Sequence, residues 1–151
     1  MVAYSFNPRF ELPILSGAKS GTIRAIGRRR HARAGETLQL YVGQRTRHCR
    51  LLCEAFCTAV DPIVVTVRAT DGAPTIEAIA IENAFRPGRY HAVHISPEAI
   101  DTFARRDGFI AGDDMARFWV SAHGDLVADG MIRFRGVWIQ WAASGECHGV
   151  D

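Results

Sequence analysis

The stretch that decides the fold is MIRFRGVWIQW, Met131–Trp141. Side chains on a strand alternate between two faces, so Ile132, Phe134 and Trp138 fall on one side and Val137, Ile139 and Trp141 on the other. A strand with one wet face carries its large apolar groups on one side only; here they stand on both. Such a strand is covered on each side, which suits a small barrel with helices packed outside it. Upstream, RAGETLQLYVG places Leu38, Leu40 and Val42 on one face of a strand, and Cys49–Val60 reads as another with Leu51 on its inward face. PIVVTVRAT and TIEAIAIEN are two more β runs separated by the turn signal DGAP.

Helical signals fill the gaps. FNPRFELPILSG predicts a short helix whose face is Phe10, Ile14 and Leu15, limited by Pro13 and stopped by Gly17. SPEAIDTFARRDGF has Ser96 as N-cap, Pro97 at the first helical position and a buried stripe of Ile100, Phe103 and Ala104. GDDMARFWVSAHG predicts a third helix capped by Asp113 or Asp114, with Met115, Phe118, Trp119 and Ala122 at core spacing. The expectation is therefore α+β: a small β-barrel of five or six mostly antiparallel strands with about three short helices.

The 151 residues make a single domain the natural expectation, spanning 1–141 with a flexible tail at 142–151. No apolar run approaches the ~20 residues of a membrane helix. Asn7, Arg9 and Glu11 interrupt the opening segment, so it does not read as a signal peptide, and a cytoplasmic location is expected. Cys49, Cys53 and Cys57 recur every four residues. On a strand each such step spans about 13 Å, beyond disulfide or shared-metal reach, so core-facing thiols are expected. Cys147 and His148 are two ligands only, and His91 and His94 fall on opposite strand faces, so no metal or other cofactor is expected.

Charge is lopsided. Residues 1–50 hold ten Lys/Arg against Glu11 and Glu36, whereas the rest of the chain is net acidic. Arg24, Arg28, Arg29, Arg30 and Arg33 crowd RAIGRRRHAR, a pattern that serves either a solvated loop or a phosphate-binding rim. Lys19, in SGAKSGTIR, is the only lysine. Thr22 and Arg24 share one side of a β-like segment, and Gly21 lets the backbone turn before them. An amine, a hydroxyl and a guanidinium converging there make a plausible activator, nucleophile and anion clamp. Burial and neighbouring arginines would lower the lysine pKa toward that of a base, a role arginine cannot take. Tyr41 and Trp119 are candidates to stack on a base, with barrel packing as the competing role.

GAKSGTIR, followed in order by RAGETLQLYVGQRT, ARRDGF, DDMARFW and FRGVWIQW, resembles the ASCH family of PUA-like domains over Phe10–Trp141. The family's Gly-x-Lys-x-x-Thr-x-Arg loop is matched by Gly17, Lys19, Thr22 and Arg24. The resemblance implies a β-barrel with a basic cleft for RNA or nucleoside ligands. Its acetylcytidine amidohydrolase branch implies catalytic roles for Lys19 and Thr22, and for an acid that falls on Asp107 where that branch has glutamate. Aspartate is one methylene shorter, and misplacing a catalytic group by about 1 Å can cost on the order of a hundredfold. The expected function is a metal-independent hydrolase acting on a cytidine-like nucleoside or RNA, with Arg24, Arg28, Arg29, Arg30 and Tyr41 binding substrate. A non-catalytic RNA-binding module and a ribonuclease are the alternatives.

Overall fold

The computed structural model describes residues 1–70 and 72–143; Cys147, His148 and most of the expected tail lie outside the described residues. Among the described residues the fold is α+β, with seven strands in one mixed sheet and three α-helices. The strands are β1 (Val2–Phe6), β2 (Gly21–Ala25), β3 (Thr37–Val42), β4 (Arg50–Arg68), β5 (Thr75–Asn83), β6 (Arg86–His94) and β7 (Met131–Ala143). The helices are α1 (Glu11–Ser16), α2 (Pro97–Arg106) and α3 (Gly112–His123). None of the described helices is long and apolar enough to cross a membrane.

β4 organises the sheet. The two β runs expected on either side of Pro62 are one strand of 19 residues. Its first part pairs with β3 up to Phe56, its last part with β5 from Ile63, and β7 runs along its other edge from Ala55 to Arg68. Pro62 lies in the interval between the β3 and β5 ladders, where the strand has a single neighbour and a missing N–H is tolerated. Beyond β3 lies β1, in the one parallel pairing of the described sheet; beyond β7 lies β2, and beyond β5 lies β6. β1 and β2 thus end two arms of the sheet and share no ladder, so the sheet is not closed into a barrel. A side chain crosses the gap instead: Arg24 Nη2 of β2 donates to the Ser5 carbonyl of β1 at 2.8 Å.

The core follows the expected faces with local corrections. Leu38, Leu40 and Val42 are buried, as are Ile132, Phe134, Trp138, Ile139 and Trp141 of β7. Leu51 is 44% exposed and Cys49 is exposed as well. Leu52 is an extra residue opposite the Leu40/Tyr41 step of β3, and this bulge turns the preceding residues to the other face. Cys53 and Cys57, beyond the bulge, are buried.

α2 behaves as its sequence dictates. Ser96 accepts from the Ala99 N–H, and Ile100, Phe103 and Ala104 are buried, with Phe103 set 4.6 Å from the Trp138 ring. α3 starts differently: its N-cap is Ala111, which supplies no side-chain bond, so neither Asp113 nor Asp114 is the cap. Asp101 of α2 accepts from the Gly112 N–H at 2.8 Å, and Asp114 turns back to the Ile110 N–H and to Arg9. The Gly112 donor is thus met from another helix, which no local pattern announces, while the Asp114 N–H is met locally by Asp113 Oδ1.

Gly21 begins β2 against the buried Trp138. A Cβ there would lie 2.3 Å from the indole ring. Overpacking of this kind costs about 1–3 kcal/mol. Gly21→Ala is therefore expected to lower the urea midpoint by that equivalent. Gly27→Ala, which enters open space, is expected to stay within about 0.5 kcal/mol of the parent.

Candidate active site

The loop that carries Lys19 is fixed by its backbone before its side chain does anything. Gly17 ends α1 in the left-handed conformation, at φ 82°. The Lys19 N–H then donates to the Pro13 carbonyl and the Ser20 N–H to the Arg106 carbonyl, each at 2.9 Å. The Trp141 N–H donates to the Ser20 carbonyl at 3.0 Å. Three elements, α1, α2 and β7, therefore hold two consecutive residues, and β2 follows directly.

Held this way, Lys19 turns inward and is only 2% exposed. Its Nζ donates to the backbone carbonyl of Asp107 at 2.6 Å and to Asp107 Oδ1 at 2.7 Å. The nitrogen also lies 4.7 Å from the Phe10 ring centre and 5.5 Å from that of Phe6. Asp107 is the C-cap of α2, so the amine meets the negative end of a helix as well as a carboxylate. Gly108, at φ 90°, keeps the next position clear: a Cβ there would lie 2.8 Å from Lys19 Cδ.

Burial pushes the Lys19 amine below the ordinary lysine range, against the pull of the Asp107 carboxylate. Burial likewise pushes Asp107 up, against the pull of Lys19. Both directions favour an amine that gives up its proton more readily than a solvated lysine. An unprotonated Nζ has two N–H groups and one lone pair. The two bonds to Asp107 use the N–H groups and leave the lone pair to accept a proton.

Thr22 is 5% exposed and Arg24 is half-buried on the same side of β2. Arg24 Nε donates to Thr22 Oγ1 at 3.3 Å, so in this state the hydroxyl is engaged by the guanidinium rather than by the amine. The guanidinium packs 4.8 Å from the Phe6 ring centre and 5.4 Å from that of Tyr4. It is clamped by Ser5, Thr22 and two rings.

Lys19, Thr22, Arg24 and Asp107 all line one cavity of about 400 Å³. Much of the rest of its wall is aromatic, including Phe109, Phe118, Trp119, His123 and Phe134. Trp119 is both core, at 4% exposure, and cavity wall. The His123 ring lies 4.6 Å from that of Trp119 and 5.5 Å from that of Phe134, and burial lowers its pKa. The volume and the mix of apolar walls with a few convergent polar groups are those of a small-molecule site.

The remaining predicted residues lie elsewhere. Arg29 and Arg30 line a neighbouring hollow that shares Arg24 and Ala25 with the cavity. Arg28 is exposed and lines neither, and Tyr41, half-buried on β3 between Ser5 and Leu51, lines neither. Among the described residues no group of three His, Cys, Asp or Glu side chains is placed to hold a metal ion. His91 stands 3.4 Å from Asp61 and His94 packs on Phe103. Of the aromatic wall the sequence points only to Trp119, as a candidate to stack on a base; His123 and the phenylalanines carry no such signal. The only local signal for His123 is its i, i+4 spacing from Trp119 on α3. Comparison with protein-family models, with curated proteins and with solved structures gave no match.

The buried pair makes an uneven double-mutant cycle the expected result. Removing one member leaves the other buried and unpaired, at about 3–5 kcal/mol, whereas removing both is far cheaper. Asp107→Ala is expected to lower the urea-unfolding free energy by about that amount, and adding Lys19→Met is expected to recover most of it. Additive losses would show that the two groups do not depend on each other.

Proposed function

We propose that the protein is a metal-independent hydrolase of the ASCH type that removes an acyl group from the exocyclic amine of a cytidine-like base, free or within RNA. The observation that carries this reading is convergence. Lys19 and Asp107, 88 residues apart in sequence, meet in a cavity with Thr22 and Arg24. The aromatic lining suits a flat base. In the same reading the curled sheet is the barrel of a PUA-like domain, with the gap between β1 and β2 as the mouth of the cleft.

Each residue has a defined part. Thr22 Oγ attacks the amide carbonyl carbon while Lys19 takes the hydroxyl proton. Arg24, already bonded to Oγ1, faces the negative charge that develops on the carbonyl oxygen. The C–N bond breaks as Lys19 returns the proton to the leaving amine. A water deprotonated by Lys19 then cleaves the acyl–Thr22 ester, releasing the carboxylic acid and restoring the hydroxyl. Asp107 holds Nζ in place and offsets the charge it carries between these steps. One observation favours the non-catalytic alternative: Thr22 Oγ1 is engaged by Arg24, so a binding module would use the same four residues without proton transfer.

Turnover of N4-acetylcytidine, followed by release of acetate, separates the two. Thr22→Val, a near-isosteric change, is expected to abolish turnover, while Thr22→Ser retains it. Lys19→Arg is expected to lower the rate by about 10²–10⁴-fold, the usual worth of general-base assistance, with ligand affinity little changed. Full turnover by Thr22→Val would sink the nucleophile assignment. In the parent enzyme the rate is expected to fall as pH drops and Lys19 takes up a proton. The lowered pKa of the buried amine places that limb below the range of a solvated lysine.

A further inference from the structure

The second hollow is as distinctive as the cavity beside it. It encloses about 740 Å³ between the start of β1, the loop after β2 and the turn after β3. Arg24, Arg29, Arg30 and Arg45 line it, and no acidic residue does. Arg30 is already paired with Glu36 at 2.7 Å. Arg29 and Arg45 are exposed and enter no ion pair among the described residues. Two loops on either side of β3 thus bring unneutralised guanidinium groups to one concave surface, a field that attracts anions.

The loop that carries Arg29 is tied down. Ala25 O accepts from His31 Nε2 at 2.7 Å, so that nitrogen bears the proton and Nδ1 accepts from the Tyr4 hydroxyl at 3.0 Å. The Tyr4 oxygen in turn accepts from the Ala32 N–H at 3.1 Å. This chain anchors both ends of the arginine run to β1 and β2, and it reduces the ordering that a ligand would otherwise impose.

Arg24 lies on the partition: its guanidinium, held by Ser5 and Thr22, lines both spaces. A ligand with a flat apolar end and an anionic end can straddle it. We infer that the arginine-lined hollow is a phosphate subsite, so that the ligand whose base enters the aromatic cavity carries a phosphate on its ribose. Arg24, Arg29 and Arg45 receive that phosphate, from a mononucleotide or from a nucleotide within a strand. The inference rests on the nucleoside reading of the cavity and narrows it. Bidentate guanidinium–phosphate contacts supply the affinity.

Equilibrium binding of N4-acetylcytidine, its 5′-monophosphate, a short RNA containing one acetylcytidine, and base-free ribose 5-phosphate tests this. The phosphate is expected to tighten binding roughly ten- to a hundredfold over the nucleoside at low salt. The gain is expected to vanish in Arg29→Ala/Arg45→Ala, with nucleoside affinity unchanged. It is expected to persist in Arg86→Ala/Arg89→Ala, which removes the same charge from the exposed β6. A monophosphate as tight as the RNA identifies a mononucleotide ligand, and a further gain with the RNA identifies a strand. Equal affinity for nucleoside and nucleotide would overturn the subsite and leave the base cavity standing. Ribose 5-phosphate that binds through Arg29 and Arg45, with no preference for forms that carry the base, would support the subsite and overturn the cavity reading.

Discussion

The Lys19 amine and the Asp107 carboxylate are both held out of water, and desolvating each such group costs several kcal/mol. An arrangement this expensive survives only where neighbours over-determine it. Gly17 ends α1 so that the chain can reverse, and Ser20 is pinned by Arg106 on one side and Trp141 on the other. Gly108 leaves room for the lysine stem, and α2 stops where the carbonyl of its C-cap, Asp107, can accept from Nζ. The positions of α1, α2, β2 and β7 can each be read as conditions for this one contact. A hydrophobic pair of similar volume would satisfy the core with less constraint. The polar pair is therefore a poor source of stability for the constraint it imposes.

The incomplete sheet serves the same end. Were β1 and β2 joined by a backbone ladder, the wall would be continuous and Thr22 would be enclosed. Arg24 spans the opening instead, and its side chain leaves space on both sides that a row of peptide hydrogen bonds would fill. The guanidinium stays charged despite burial, because its pKa is too high to be lost. A permanent cation thus stands in the gap between β1 and β2, flanked by an aromatic chamber and an arginine-lined one.

Much of the scaffold was legible because its signals are local. Leu38, Leu40 and Val42 alternate, Ser96 and Pro97 announce α2, and β7 declares itself by carrying large apolar groups on both faces. Lys19 drew notice as the only lysine, and the loop spacing tied it to Thr22 and Arg24. What escaped depends on partners distant in sequence. The extra residue Leu52 exists only relative to β3, so alternation alone puts Leu51 on the wrong face, and Cys49 lies in the turn before β4 begins. Asp101 serves the first turn of α3 from another helix, which made Asp113 and Asp114 look like caps. Tyr41, whose ring suggests a binding role, lines neither the cavity nor the hollow beside it. His123 and the phenylalanines became a wall only once α3 packed beside β7.

The route by which Ser20 is pinned has a kinetic consequence. β2 pairs only with β7, Gly21 opposite Gln140, and Trp141 supplies the last tie to the lysine loop. Contacts between segments so far apart form late, because closing the intervening chain costs entropy before any contact repays it. A ribosome releases the lysine loop long before it releases β7. Until then Lys19 has no pocket and remains a solvated side chain. The buried lysine–carboxylate pair is thus completed by the final strand described, and a nascent or partly unfolded chain carries the motif without the cavity around it.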